Sequence, residues 1–389
     1  MKRKIQVNLK RTMSFIAGNV LLLYLVLLPG VVKGTDLQEK QSYRPAAVQL
    51  KETTDNPTID LSKKPAQKFK NPVKLQGQDP WVVYKDGYYY FAYAENDGSG
   101  LRIVKSTDLT EIGKSTGAKV WKTPRQGWNA YEVWAPELHH INGKWFVYYT
   151  ACDGNGMNHR MGVLESKTGD PQGEYIDHGQ LVIPGEYTDR WEFDWAIDGT
   201  VLQKEDGTLY FVWSGWPNGR AADSQQNLYI APMSDPRTIS GDRVCISEPQ
   251  YPWENSVRGI NEGPQILKKD GKIMVVYSAN ASWTNEYCLG LLVCSDGNVM
   301  NPASWIKKPE AVFSKDADNE IYGVGHASFV KSPDETEDWI VYHAQNNKTS
   351  GWGRNVRIQK FTWNSDGTPY FGKPLPIGIP LDKPGNLQK

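Results

Sequence analysis

Cysteine pairs, helical patterns and one-sided charge are all scarce in this sequence. The four cysteines, Cys152, Cys245, Cys288 and Cys294, show no Cys-x-x-Cys spacing, which argues against a zinc site built from cysteines. For Cys288 and Cys294, a bridge formed after export and two free buried thiols are both open readings. No block of like charges occurs, and 44 basic residues balance 44 acidic ones. Six of the basic residues (Lys2, Arg3, Lys4, Lys10, Arg11 and Lys33) lie within residues 1–34, which hold no acid, leaving 38 basic against 44 acidic residues beyond them. A net charge near −6 in that remainder argues against nucleic acid as a partner, because nucleic-acid binding needs a positive field. From Asn71 onward there is no long amphipathic helical pattern.

The first 34 residues are set aside from the fold. A basic start, an apolar run over 15–32 interrupted by Gly18, Asn19 and Pro29, and a small residue at Gly34 describe an export signal. The run is also long enough for an uncleaved membrane anchor. No cysteine follows it closely enough for lipid attachment. The expectation is an exported protein, periplasmic or extracellular, with no membrane association once the signal is removed. Residues 35–70 are polar, without periodicity, and read as a linker or tail.

Short β-rich runs fill the rest, separated by Gly, Asp and Asn. Five are alike: DPWVVYKDGYYYFAYA from Asp79, APELHHINGKWFVYYTA from Ala135, DGTVLQKEDGTLYFVWSG from Asp198, EGPQILKKDGKIMVVYSA from Glu262 and GHASFVKSPDETEDWIVYHA from Gly325. Four carry the Asp-Gly or Asn-Gly pair that tight hairpins favour, at Asp86, Asn142, Asp206 and Asp270, spaced by 56, 64 and 64 residues. The fifth turn, near Glu337, follows at about the same period. Further β-rich segments lie between the hairpins. A β-sandwich also contains hairpins, but five similar ones at constant spacing predict an all-β, five-bladed β-propeller over 71–385.

The innermost strand of each blade lines the central channel, so equivalent positions converge on the axis. The residues opening the repeats are Asp79, the stretch Ala135-Pro136-Glu137, Asp198, Glu262 and His326. Counted back from the turn, Asp79 is seven residues away and Asp198 and Glu262 are eight. That offset is read as loop variation. Three carboxylates in one aromatic-rimmed cavity suit glycosidic cleavage. One deprotonates water and another, protonated, delivers a proton to the leaving oxygen. A third raises the acid's pKa by like-charge repulsion. The 15 tryptophans and 20 tyrosines suit carbohydrate as well as a large core.

The pieces QDPWVVYKDGYYYFAYA, VWAPELHHINGKWFVYYTA, AIDGTVLQKEDGTLYF, NEGPQILKKDGKIMVVYSA and GVGHASFV, in this order, resemble glycoside hydrolase family 43, the arabinofuranosidase, arabinanase and xylosidase group. The WMNDPNG opening of the related retaining sucrose-type enzymes is absent. The resemblance implies an inverting mechanism. It implies Asp79 as general base, Glu262 as general acid and Asp198 as the carboxylate that tunes the acid and orients substrate. It also implies His326 as a channel histidine that contacts a structural calcium or its waters, with no cofactor required for the chemistry.

Candidate substrate-facing residues are Trp134, Glu137, Trp283, Trp352 and Arg357. Trp134 either flanks the sugar or packs in the core, and Glu137 either faces the cavity or braces a loop. Trp81 reads better as core. Arg354 and Arg357 both lie in the closing blade, and Arg357 is assigned to its inner strand. Asp194 is an alternative to Asp198 without the blade-start register. The resemblance is nearest to exo-acting α-L-arabinofuranosidases acting on plant cell-wall polysaccharides or oligosaccharides, and the lack of an appended β-sandwich favours them. β-Xylosidase and endo-α-1,5-arabinanase activity are the alternatives. A glycan-binding propeller without catalysis is the alternative class, and retention of all three acids argues against it.

Overall fold

The computed structural model describes residues 67–184, 195–217, 225–349 and 351–385. The expected signal at 1–34, most of the tail and Asp194 lie outside the described residues. Among those described, no helix is long and apolar enough to cross a membrane.

A short strand β1 (Lys68–Phe69) opens the described chain. Five antiparallel sheets then follow in order, each a blade. Blade I holds β2 (Trp81–Lys85), β3 (Tyr88–Ala94), β4 (Gly100–Ser106) and β5 (Ala118–Lys122). Blade II holds β6 (Tyr131–Ile141), β7 (Lys144–Cys152), β8 (Arg160–Ser166) and β9 (Tyr175–Gln180). Blade III holds β10 (Ala196–Gln203), β11 (Leu209–Gly215) and β12 (Asn227–Asp235), with its outer edge shared by β13 (Thr238–Ile239) and β14 (Val244–Ser247). Blade IV holds β15 (Asn261–Lys269), β16 (Lys272–Ala279), β17 (Cys288–Cys294) and β18 (Trp305–Lys307). Blade V holds β19 (Gly325–Lys331), β20 (Asp338–Gln345), β21 (Arg354–Trp363) and β22 (Pro369–Tyr370). The five-bladed propeller read from the repeat is the fold observed.

Each blade is covered on both faces, so its middle strands are apolar without interruption rather than alternating. Successive side chains of a strand point to opposite faces, and here the two faces feed two different cores. In β16, Val275 joins the apolar cluster shared with blade III, while Met274 and Val276 join the one shared with blade V. In β3, Phe91 packs toward blade V, while Tyr90 and Ala92 pack toward blade II. Five such clusters, one per seam, complete the ring.

The ring closes between blades V and I without a shared four-stranded sheet. The last residues assigned to the tail belong to this closure: Lys68 and Phe69 pair with Asp382 and Leu381 of β23 (Leu381–Asp382). Asn71 then grips β21 with both ends of its amide. Its Nδ2 donates to the Ile358 carbonyl at 2.8 Å, and its Oδ1 accepts from the Ile358 N–H at 3.0 Å.

Of the two readings left open for Cys288 and Cys294, free thiols are the one observed; all four cysteines are free. The pair occupies the two ends of one extended strand. Six residue steps at ~3.3 Å each hold the ends roughly 20 Å apart, far beyond disulfide reach.

Asn71→Leu should lower unfolding free energy by about 2–4 kcal/mol, since it leaves a buried N–H and C=O of Ile358 unpaired. Urea denaturation checks this, and an effect below about 0.5 kcal/mol would show that the clamp is not needed for closure.

Candidate active site

One residue per blade start lies in the left-handed backbone region: Asp79 (φ 46°), Ala135 (41°), Asp198 (55°), Gly263 (54°) and His326 (44°). In blades II to V the strand register shifts at this point. Each is a bulge that turns the chain at the channel mouth and aims a side chain toward the axis. A non-glycine residue pays roughly 1–2 kcal/mol for this conformation, so something must hold it there.

The blade before supplies the hold. Thr150, Ser214, Ser278 and His343 occupy matching places on the second strands β7, β11, β16 and β20, each paired with the residue just ahead of the bulge. Thr150 Oγ1 accepts from the Asp198 N–H at 3.1 Å, and Ser278 Oγ accepts from the His326 N–H at 2.8 Å. His343 Nδ1 accepts from the Asp79 N–H at 3.2 Å. Ser214 instead donates to the Asn261 carbonyl at 2.9 Å. These residues were not singled out from sequence. Their signal was present at the ends of the repeats, as YTA, WSG, YSA and YHA.

The structure brings Asp79, Asp198, Glu262 and His326 together. It also corrects the register. Glu262 does not match Asp79 and Asp198; Gly263 does, and Glu262 precedes it by one residue. Asp198 carries the eight-residue spacing because its hairpin loop is longer. A glycine suits the blade IV position, because a Cβ there would sit 3.2 Å from the His326 ring.

Each carboxylate has its own surroundings. Asp79 Oδ1 lies 3.3 Å from His326 Nδ1, 3.5 Å from His343 Nδ1 and 3.7 Å from Arg354 Nη1. His343 is buried, which holds its pKa well below the ordinary imidazole value. It is therefore a neutral ring whose Nδ1 accepts, leaving Arg354 as the permanent cation beside Asp79. Glu262 Oε1 accepts from the Tyr287 hydroxyl at 2.8 Å, and the Tyr287 ring stacks on His343. Asp198 Oδ2 accepts from the Gly263 N–H at 3.2 Å.

Burial is the first cause of the electrostatics. It pushes the Glu262 carboxyl up to about 7, assisted by the charge of Asp79 and opposed by the Tyr287 hydrogen bond and by Arg354 and Arg258. Asp198 is pushed well above the carboxylate range, again by burial first, then by Glu262 and Asp79. Asp198 and Glu262 thus repel each other in a buried pair, and Asp79 adds to the repulsion on both.

The other assigned residues divide. Arg357 is on β21, the third strand of blade V and not the inner one, and it bonds Asn355 Oδ1 at 2.8 Å and the Leu375 carbonyl. Arg354, at the start of the same strand, reaches Asp79 instead. Glu137 is not offered to substrate either. Its Oε1 accepts from Gln265 Nε2 and its Oε2 lies 2.9 Å from His139 Nε2. Blades II and IV are not neighbours, so the Glu137–Gln265 bond crosses the axis, two residues deeper than the bulges. Trp81 bonds the Leu138 carbonyl and packs on His139 with the rings tilted, as a core residue does.

Residues 69–369 match the family model described as glycosyl hydrolases family 43. The chain belongs to glycoside hydrolase family 43. Over 325 residues it is 34% identical to an extracellular exo-α-(1→5)-L-arabinofuranosidase of Streptomyces avermitilis, covering 81% of this chain and 65% of that protein. A Streptomyces chartreusis protein of the same description is 33% identical, covering 72% of this chain and 83% of its own length. The crystal structure of an α-L-arabinofuranosidase from Lactobacillus brevis superposes with a TM-score of 0.73 at 32% identity, over 80% of this chain and 98% of that one. The chain thus spans about two-thirds of the length of the Streptomyces avermitilis relative.

Within this family 43 propeller, Trp283 and Trp352 form a tilted pair with centroids 5.4 Å apart, and Arg354 lies under the 65% exposed Trp352 ring. This links an aromatic platform to the cation beside Asp79. Trp134 is half-buried and stacks on His159 at 4.0 Å. Among the described residues, no group of three His, Cys, Asp or Glu ligand atoms surrounds His326; the group that forms lies at Glu132, Cys152 and His159.

A carboxyl raised from 4.5 to about 7 in the folded state keeps its proton while the unfolded chain loses one. Stability therefore falls as pH rises through that window, by about 3 kcal/mol in total. Glu262→Gln carries no such penalty. Its stability relative to wild type should rise from pH 4 to pH 8 by up to about 3 kcal/mol in urea denaturation. A pH-independent difference would contradict the shift.

Proposed function

We propose that the protein is an exported, inverting glycoside hydrolase that releases terminal α-L-arabinofuranose from arabinan- or arabinoxylan-type polysaccharides or their oligosaccharides. The observation that carries this is the pair of unlike carboxyls at the axis: Glu262, buried and raised to about 7, and Asp79, facing Arg354. Glu262 then gives its proton to the leaving oxygen, and Asp79 takes a proton from the attacking water. Asp198 orients the sugar between them. The Streptomyces relatives carry the extracellular exo-arabinofuranosidase description. The Glu137–Gln265 bond crosses the channel below the acids, and a channel closed at one end suits exo action.

The proposed chemistry uses protein groups alone. A structural calcium would be held by water oxygens, with His326 contacting those waters rather than the ion itself.

The leaving group separates the roles. p-Nitrophenolate departs without a proton, whereas a sugar alkoxide does not. Glu262→Gln should therefore lower kcat/KM by about 10²–10⁴ on α-1,5-arabinobiose and far less on p-nitrophenyl α-L-arabinofuranoside. Asp79→Asn should lose activity on both. Proton NMR should show the β-anomer of arabinose first. Equal losses on the two substrates would remove the acid role from Glu262, first appearance of the α-anomer would refute inversion, and greater turnover of the β-D-xyloside would refute the sugar assignment.

A further inference from the structure

Beside Trp134, blade II holds a cluster that the proposed hydrolysis does not use. Glu132 lies at the start of β6, Cys152 at the end of β7 and His159 just ahead of β8, so three consecutive strands deliver them to one spot. Their ligand atoms all lie within 4.8 Å of one another. Glu132 Oε2 is 3.1 Å from His159 Nε2 and 3.5 Å from Cys152 Sγ. Tetrahedral zinc with bonds of roughly 2.0–2.3 Å requires ligand atoms about 3.3–3.8 Å apart, so the side chains stand near that spacing already.

The histidine points to a cation independently. His159 is 1% exposed, and its Nδ1 lies 2.7 Å from the Gly156 carbonyl, which can only accept. Nδ1 therefore carries a proton, and Nε2 is turned toward Glu132. Nε2 is buried without a hydrogen-bond partner. A cation placed between Nε2, the Glu132 carboxylate and the Cys152 sulfur would engage all three. A backbone carbonyl on the far nitrogen is also how metal-bound imidazoles are oriented. Glu132 is held in the left-handed region (φ 48°), which directs its carboxylate back toward Cys152.

We propose that Glu132, Cys152 and His159 form a three-ligand site for a thiophilic divalent cation of the Zn²⁺ class, with water in the fourth position. Binding breaks the Cys152 S–H bond; its proton goes to solvent and its electron pair to the metal. A mixed O, S, N donor set suits zinc and does not suit calcium. No Cys-x-x-Cys is needed, because the strand order of the blade replaces sequence spacing. The site would fix the His159 ring and with it the stacked Trp134.

The test uses the full chain, stripped with chelator and dialysed. Equilibrium dialysis should find one tightly held Zn²⁺ per chain, not displaced by excess Ca²⁺. Co²⁺ in its place should give a thiolate-to-metal charge-transfer band in the near ultraviolet. Cys152→Ala should abolish that band, and Glu132→Gln should weaken Zn²⁺ binding about tenfold or more. Cys245→Ala should leave both unchanged. The Glu132 side chain is 47% exposed, so Glu132→Gln keeps a folded readout if Cys152→Ala does not. Absence of the charge-transfer band in the wild type, or Zn²⁺ affinity unaltered by Glu132→Gln, overturns the proposal.

Discussion

Closing five blades into a ring forces their inner strands to share one narrow axis, and here that axis collects acids. Asp198 and Glu262 are nearly withdrawn from water, where an ionised carboxyl is costly. Much of the local structure reads as a response to that constraint. Arg354 reaches in from the third strand of blade V to face Asp79. The Gly263 N–H meets Asp198 and the Tyr287 hydroxyl meets Glu262. Where these contacts do not offset burial, the carboxyl keeps its proton, which is the state a general acid needs. The same burial that destabilises the folded chain above neutral pH thus prepares Glu262 for the proposed acid role.

Fold and site share their supports. The bulges that aim Asp79, Asp198 and His326 at the axis are held by side chains of the preceding blade. Each such bond also ties one blade to the next across a seam whose core is apolar. His343 does both at once: it anchors the Asp79 backbone, lies beside its carboxylate and stacks on Tyr287. Asp79 and Glu262, the proposed base and acid, are therefore linked through one buried neutral ring. Below them the Glu137–Gln265 bond spans non-adjacent blades, bracing the ring across its centre.

Much of this was legible in the sequence, for a physical reason. Hairpin turns need specific residues, and blades covered on both faces need unbroken apolar strands, so Asp86-Gly87 and MVVYSA announce themselves. Asp79, Asp198 and Glu262 were found because the repeat carries them to one axis. What failed depended on backbone detail or on partners distant in sequence. The one-residue offset of Glu262 reflects a glycine taking the left-handed position in blade IV. Arg357 was preferred to Arg354 because residues on one β-strand look alike until the strand's place in its blade is known. Glu137 was read as facing substrate because Gln265, its partner across the axis, is 128 residues away. For Cys288 and Cys294 the two open readings could be separated only once the segment between them was known to be one extended strand.

The central claim is that burial keeps Glu262 protonated and that its protonated form does the work. The most direct measurement is kcat/KM against pH for the wild type and for Tyr287→Phe. The wild type should lose activity as pH rises through about 7. The Tyr287 hydroxyl favours the ionised form of Glu262, so its removal should move this alkaline limb to higher pH. An alkaline limb that stays in place in Tyr287→Phe, or a wild-type profile flat across neutrality, would contradict the account.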